Sequence, residues 1–175
     1  MNYLKRKLST VRPRVKMRYR QYAMKHYDPP VGLTIPHQII SKYQAVLGWS
    51  AKGVDSLADR LVFREFTNDD YNAIFAQNNP DVFFDSAVLS ALIGSCCFVY
   101  LSKDEDERVR LQVIEASNAT GVIDPITGLL TEGYAVLQRD DNDNPILEAY
   151  FTDEETWFYP KDETPFRVSN PTGVP

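Results

Sequence analysis

The sequence predicts an α+β fold in which helices come first and antiparallel strands second. Apolar residues recur at helical spacing up to about residue 94. The composition then turns β-branched and aromatic, with turn signals between short runs. At 175 residues and 43% hydrophobic, the chain can bury one sizeable core and is short for two, so a single domain is expected.

Residues 1–27 form a basic arm. Lys5, Arg6, Lys7, Arg12, Arg14, Lys16, Arg18, Arg20 and Lys25 all precede the first acidic residue, Asp28. These are nine of 19 Lys and Arg, so 10 remain against 24 Asp and Glu, and a chain of net charge −5 carries −14 beyond the arm. Val15, Tyr19, Tyr22 and Ala23 repeat at i, i+4, i+7 and i+8, one apolar face of a helix about three turns long. Val15, Met17 and Tyr19 also alternate with Lys16, Arg18 and Arg20 at the strand period, and helix is the favoured reading.

Residues 28–42 read as a linker, because Asp28, Pro29, Pro30 and Gly32 break regular structure. A helical part follows over 43–94. Between Tyr43 and Val62, Leu47, Ala51, Val54, Ala58, Leu61 and Val62 form one stripe opposite Lys52, Asp55, Ser56, Asp59 and Arg60. Gly48 and Gly53 inside it each cost about 1 kcal/mol relative to Ala, which points to a close neighbour or a kink. Phe63 to Phe66 reads as an extended exit, and Asn68 or Asp69 caps a second helix to about Asn78. Pro80 suits the first turn of a third helix, Asp81 its positive end, and Phe84, Ala87, Val88, Ala91 and Leu92 its buried face.

The β-rich part spans 95–175. Cys96 to Leu101 is a continuous run of strand composition, and Lys103 to Glu107 is a turn before a strand over Val109 to Glu115. Asp124 to Gly128 is a turn, with Pro125 presetting one dihedral and Gly128 accepting a positive one. Asp140 to Pro145 joins Tyr134–Arg139 to Ile146–Phe151, and Pro160 to Pro165 separates two more extended pieces.

Several chemistries are disfavoured. No run reaches the roughly 18 to 20 apolar residues of a membrane span, and Lys5 to Lys7 is followed by more basic residues rather than by a signal-peptide core. Cys96 and Cys97 are adjacent, imply no disulfide framework, and suit a reducing cytoplasm as core residues. His26 and His37 have no ligand partner at zinc spacing, and no metal or cofactor is expected. Asp140, Asn142 and Asn144 match three calcium-loop positions, but Pro145 replaces the required glycine and Phe151 the closing glutamate, so a hairpin turn is expected. The Asn118–Thr120 sequon means little without export, and no phosphate-cradling loop or nucleophile elbow is present. The arm itself admits two readings. Tyr19, Tyr22 and Tyr27 among the cations fit nucleic acid, and an amphipathic helix facing an acidic neighbour in the same chain or an adjacent subunit fits equally.

Gly48–Phe66 (GWSAKGVDSLADRLVFREF), Asn79–Ala87 (NPDVFFDSA), Ser95–Lys103 (SCCFVYLSK) and Asn118–Gly128 (NATGVIDPITG) resemble the portal proteins of tailed phages and prophages of Gram-positive bacteria. The similarity continues into Ala149–Tyr159 and Asn170–Pro171, and so covers nearly the whole chain. The resemblance implies a wing-like α+β region of a structural subunit in a ring, usually a dodecamer, through which DNA is packaged and ejected. It implies contacts with neighbouring subunits, capsid and scaffolding proteins, a place in the virion after assembly in the host bacterial cytoplasm, and no catalytic residues. The stem, clip and crown of that family, with the surfaces for terminase and DNA, would lie after Pro175. With that resemblance, Lys5 to Lys25 are expected to meet acidic protein rather than DNA.

Overall fold

The computed structural model describes residues 1–24, 48–170 and 175. The linker at 28–42, Lys25, Tyr27, both histidines and the start of the stripe at 43–47 lie outside the described residues. Among the described residues the order is helices then strands: α1 (Asn2–Tyr22), α2 (Trp49–Ala58), α3 (Asp69–Ala76) and α4 (Pro80–Gly94), followed by seven strands. The fold is α+β, as the sequence predicts.

The arm is helical over 21 residues, longer than its C-terminal apolar face alone suggests. Leu4, Leu8 and Val15 are buried, with half-buried Val11 between them, so the stripe repeats every three to four residues from the chain start. Pro13 lies inside this helix, where it cannot donate to the carbonyl of Ser9. It sits on the exposed side, and one turn earlier Ser9 and Thr10 hydroxyls both donate to the carbonyl of Arg6. Packing of the stripe, rather than helix propensity, therefore holds α1 together.

α2 is shorter than its pattern. It begins after Gly48, whose φ of 65° explains the glycine, and ends at Ala58. None of its residues is buried, and Leu61 and Val62 beyond it are 47% and 75% exposed, so the expected stripe is not core. Nor does Gly53 have a close neighbour among the described residues, where a Cβ would meet nothing within 4 Å. The irregular segment 61–68 and α3 instead assemble around rings. Phe75, 6% exposed, lies 4.4 Å from Phe63 and 5.6 Å from Phe83, joining the segment, α3 and α4.

Asn68 caps α3 by accepting from the Asp70 amide at 2.8 Å, and Pro80 opens α4. The buried side of α4 is Ser90, Ile93 and Gly94, whereas Leu92, expected inside, is 36% exposed. The offset follows from packing on α1. A Cβ on Gly94 would stand at ordinary contact distance, 3.4 Å from Ala116 and 3.9 Å from Val15, so Gly94 marks where α4 lies against α1 and the turn after the first hairpin.

Two antiparallel sheets follow among the described residues. β1 (Cys97–Lys103) and β2 (Val109–Glu115) form a hairpin whose turn is closed by Asp104. β3 (Ala119–Ile123), β4 (Leu130–Arg139), β5 (Pro145–Phe151), β6 (Glu155–Pro160) and β7 (Phe166–Ser169) form a five-stranded meander in sequence order. The Asp124–Gly128 turn is held by Asp124, which accepts from Ile126 N and Thr127 Oγ1, with Gly128 at φ 71°. Cys96 is exposed and Cys97 half-buried, against the expectation of core cysteines, because Ser95 at φ 78° ends α4 and turns the chain outward before β1. Leu4 and Leu8 of α1 pack on Tyr134 and Val136 of the larger sheet. Ile114, Ala119 and Ala135 join that sheet to the hairpin. Among the described residues, no helix is long and apolar enough to cross a membrane.

Candidate interaction surface on the N-terminal helix

The nine cations of the arm fall into separate groups once α1 is docked. Lys5 bonds Glu148 Oε2 on β5 and stands 5.6 Å from the centre of the Tyr134 ring. Glu148 Oε1 accepts the Tyr134 hydroxyl at 2.5 Å, so one half-buried carboxylate ties the helix to two strands. Burial first, and this carboxylate second, push the Tyr134 phenol well above its ordinary value and keep it a donor. Lys7 donates to the carbonyl of Gly121 on β3 at 2.7 Å.

One turn past the middle of the helix, Asp143 gathers three cations. Arg12 donates to both of its carboxylate oxygens at 3.0 Å, and Lys16 to Oδ2 at 2.7 Å. Arg139 stands 3.5 Å from the carboxylate and donates to the Asp143 carbonyl at 2.8 Å. The hydrogen bond from Lys16, with the charges of Arg12 and Arg139, holds this carboxyl below the usual range. Asp143 is placed by the hairpin that the sequence predicts at 140–145, where Asp140 accepts from the amides of Asn142 and Asn144. Among the described residues, no group of three or more His, Cys, Asp or Glu is placed to hold a metal ion.

Arg18 closes the other end. It donates to the Gly94 carbonyl at 3.0 Å and to Ser95 Oγ, satisfying the C-terminal end of α4. Tyr19 donates to Ser90 at 3.3 Å and Tyr22 to Asp55 at 2.8 Å. Both tyrosines, read as stacking partners for bases, are thus packed and bonded within the protein.

Arg6, Arg14 and Arg20 differ. They are exposed and have no ion-pair or side-chain hydrogen-bond partner among the described residues; Arg6 and Arg20 project opposite the Leu4, Leu8 and Val15 stripe and Arg14 to its flank. Tyr3 and Met17, 67% and 50% exposed, lie on the same outer side. α1 therefore has an inner face fastened by Lys5, Lys7, Arg12, Lys16 and Arg18, and an outer face carrying three unpaired arginines. The sequence nominated all nine cations but not Glu148 or Asp143. Their charge type was visible, and their position depends on a strand register set 127 to 143 residues away. Compared with models of known protein families and with curated proteins, the chain matches none.

Proposed function

We propose that the chain is the wing-like part of a ring-forming structural subunit of the phage-portal type, with no catalytic role. The reading is supported by its resemblance to that family and by one structural observation, the two-faced α1. A ring repeats one heterologous interface, so each subunit needs two different complementary faces. Outward-facing Arg6, Arg14 and Arg20 on a body of charge −14 provide opposite signs for such a contact. In this reading the partners are neighbouring copies and capsid or scaffolding protein. DNA and terminase meet other parts of the subunit, and the protein resides in the virion after assembly in the host cytoplasm.

The test is Arg6→Glu, Arg14→Glu and Arg20→Glu together, in a protein carrying this chain with the stem and clip that the reading requires. Native mass spectrometry and electron microscopy should find loss of rings with an unchanged circular dichroism spectrum. Normal rings would overturn the assignment. Lys16 and Arg18 are poor choices for this test because both hold α1 in place.

A second reading, a DNA-binding protein acting through the arm, is favoured by the same three arginines, which have no ion-pair partner among the described residues. Neutralising about three phosphates would make affinity fall roughly fortyfold between 50 and 200 mM salt. Absence of duplex binding at low salt would eliminate it.

A further inference from the structure

The Asp143 cluster carries more positive charge than it neutralises. Arg12, Lys16 and Arg139 reach one carboxylate, leaving an excess of two charges. Residues 12, 16 and 20 repeat every four positions, so Arg20 extends the same stripe by one turn. Arg12, Lys16 and Arg20 line an open groove of about 480 Å³ together with Ser9, Pro13 and Asp143. Next to it, the Nε of Arg12 is buried and meets no acceptor among the described residues. Asp143 holds its position at φ 65°, a conformation that non-glycine residues adopt infrequently. A cation cluster, an orphaned donor and a carboxylate held in an uncommon backbone conformation therefore meet at one groove.

We propose that this groove binds a phosphate-class oxyanion between Arg12, Lys16 and Arg20, with Asp143 acting as an internal surrogate that organises the cations when the anion is absent. Guanidinium groups present paired donors that match tetrahedral oxyanions, and lysine adds a point charge. A phosphate group at neutral pH carries between one and two charges, matching the excess better than a single carboxylate does. Asp143 both orders the site and repels its ligand. Removing its charge therefore tightens binding, a signature that a purely structural ion pair does not have. The same chemistry is offered by free phosphate and by a nucleic-acid backbone.

The experiment follows the Arg12 Nε–H resonance during titration with inorganic phosphate at ionic strength fixed by chloride, the resonance being assigned by its loss in Arg12→Lys. A saturable shift is expected, about tenfold tighter in Asp143→Asn, from removal of one unit charge a few ångströms away. Asparagine tolerates the positive φ, so the hairpin should persist. In Lys16→Gln the affinity should fall several-fold. A non-saturable shift, or the same affinity in the protein and both variants, would overturn the site. Displacement of phosphate by a short DNA duplex would assign the source to a nucleic-acid backbone, and its failure to displace would assign it to the free ion or a monoester.

Discussion

α1 and α2 are both amphipathic by sequence, yet α1 buries Leu4, Leu8 and Val15 whereas α2 has no fully buried residue. α2 has the cleaner pattern, with a stripe against Lys52, Asp55, Ser56 and Asp59, whereas α1 is crowded with cations and interrupted by Pro13. α1 meets the larger sheet as well as α4, whereas α2 packs on α4 and α1. Tyr134 and Val136 receive Leu4 and Leu8, Val15 lies near Gly94 of α4, Glu148 meets Lys5, and Asp143 meets Arg12 and Lys16. Periodicity reports which side of a helix is apolar, and the fold decides whether that side is covered.

This contrast can be broken most directly at Leu4, which has no exposed surface. Leu4→Ala should cost about 2 to 5 kcal/mol in urea unfolding, and a loss below about 1 kcal/mol would mean that α1 is not packed as described. Next is the carboxylate that ties helix to sheet. Glu148→Gln should cost about 1 kcal/mol, with the loss shrinking in a Lys5→Met background, as a double-mutant cycle would measure.

Acid loosens the same attachment of α1. The folded-state pKa of Asp143 is depressed, so its contribution to stability is fully present above its unfolded value near 4 and is lost as pH falls through the lower folded value. Asp143→Asn should therefore lower stability at pH 7 and flatten its decline below about pH 4. An unchanged acid limb would discount the cluster. The smallest effect belongs to α2, where Leu57→Ala at a 49% exposed site should change stability by less than about 0.5 kcal/mol.

What was legible in the sequence was local. The Asn68 cap, Pro80 at the start of α4, the strand over Val109–Glu115 and the Asp124–Gly128 turn each depend on residues within one turn of one another, and the structure places them where the sequence does. Residues 2–14 of α1 were hidden differently. Leu4, Leu8, Val11 and Val15 carry the spacing, but dense charge and a proline outweigh it when the segment is read alone. The inner and outer cations could not be separated, because that division exists only once the β4–β5 hairpin brings Asp143 beneath the helix.

Because Lys5 meets Glu148 across 143 positions, α1 leaves the ribosome long before the strand it docks against. Contacts of that separation form late, after the loop-closure cost has been met. Until then the apolar stripe of α1 stands uncovered beside its positive charge, so the interval between emergence of the arm and emergence of β5 is when this chain is most open to capture by anionic polymers or by another nascent copy.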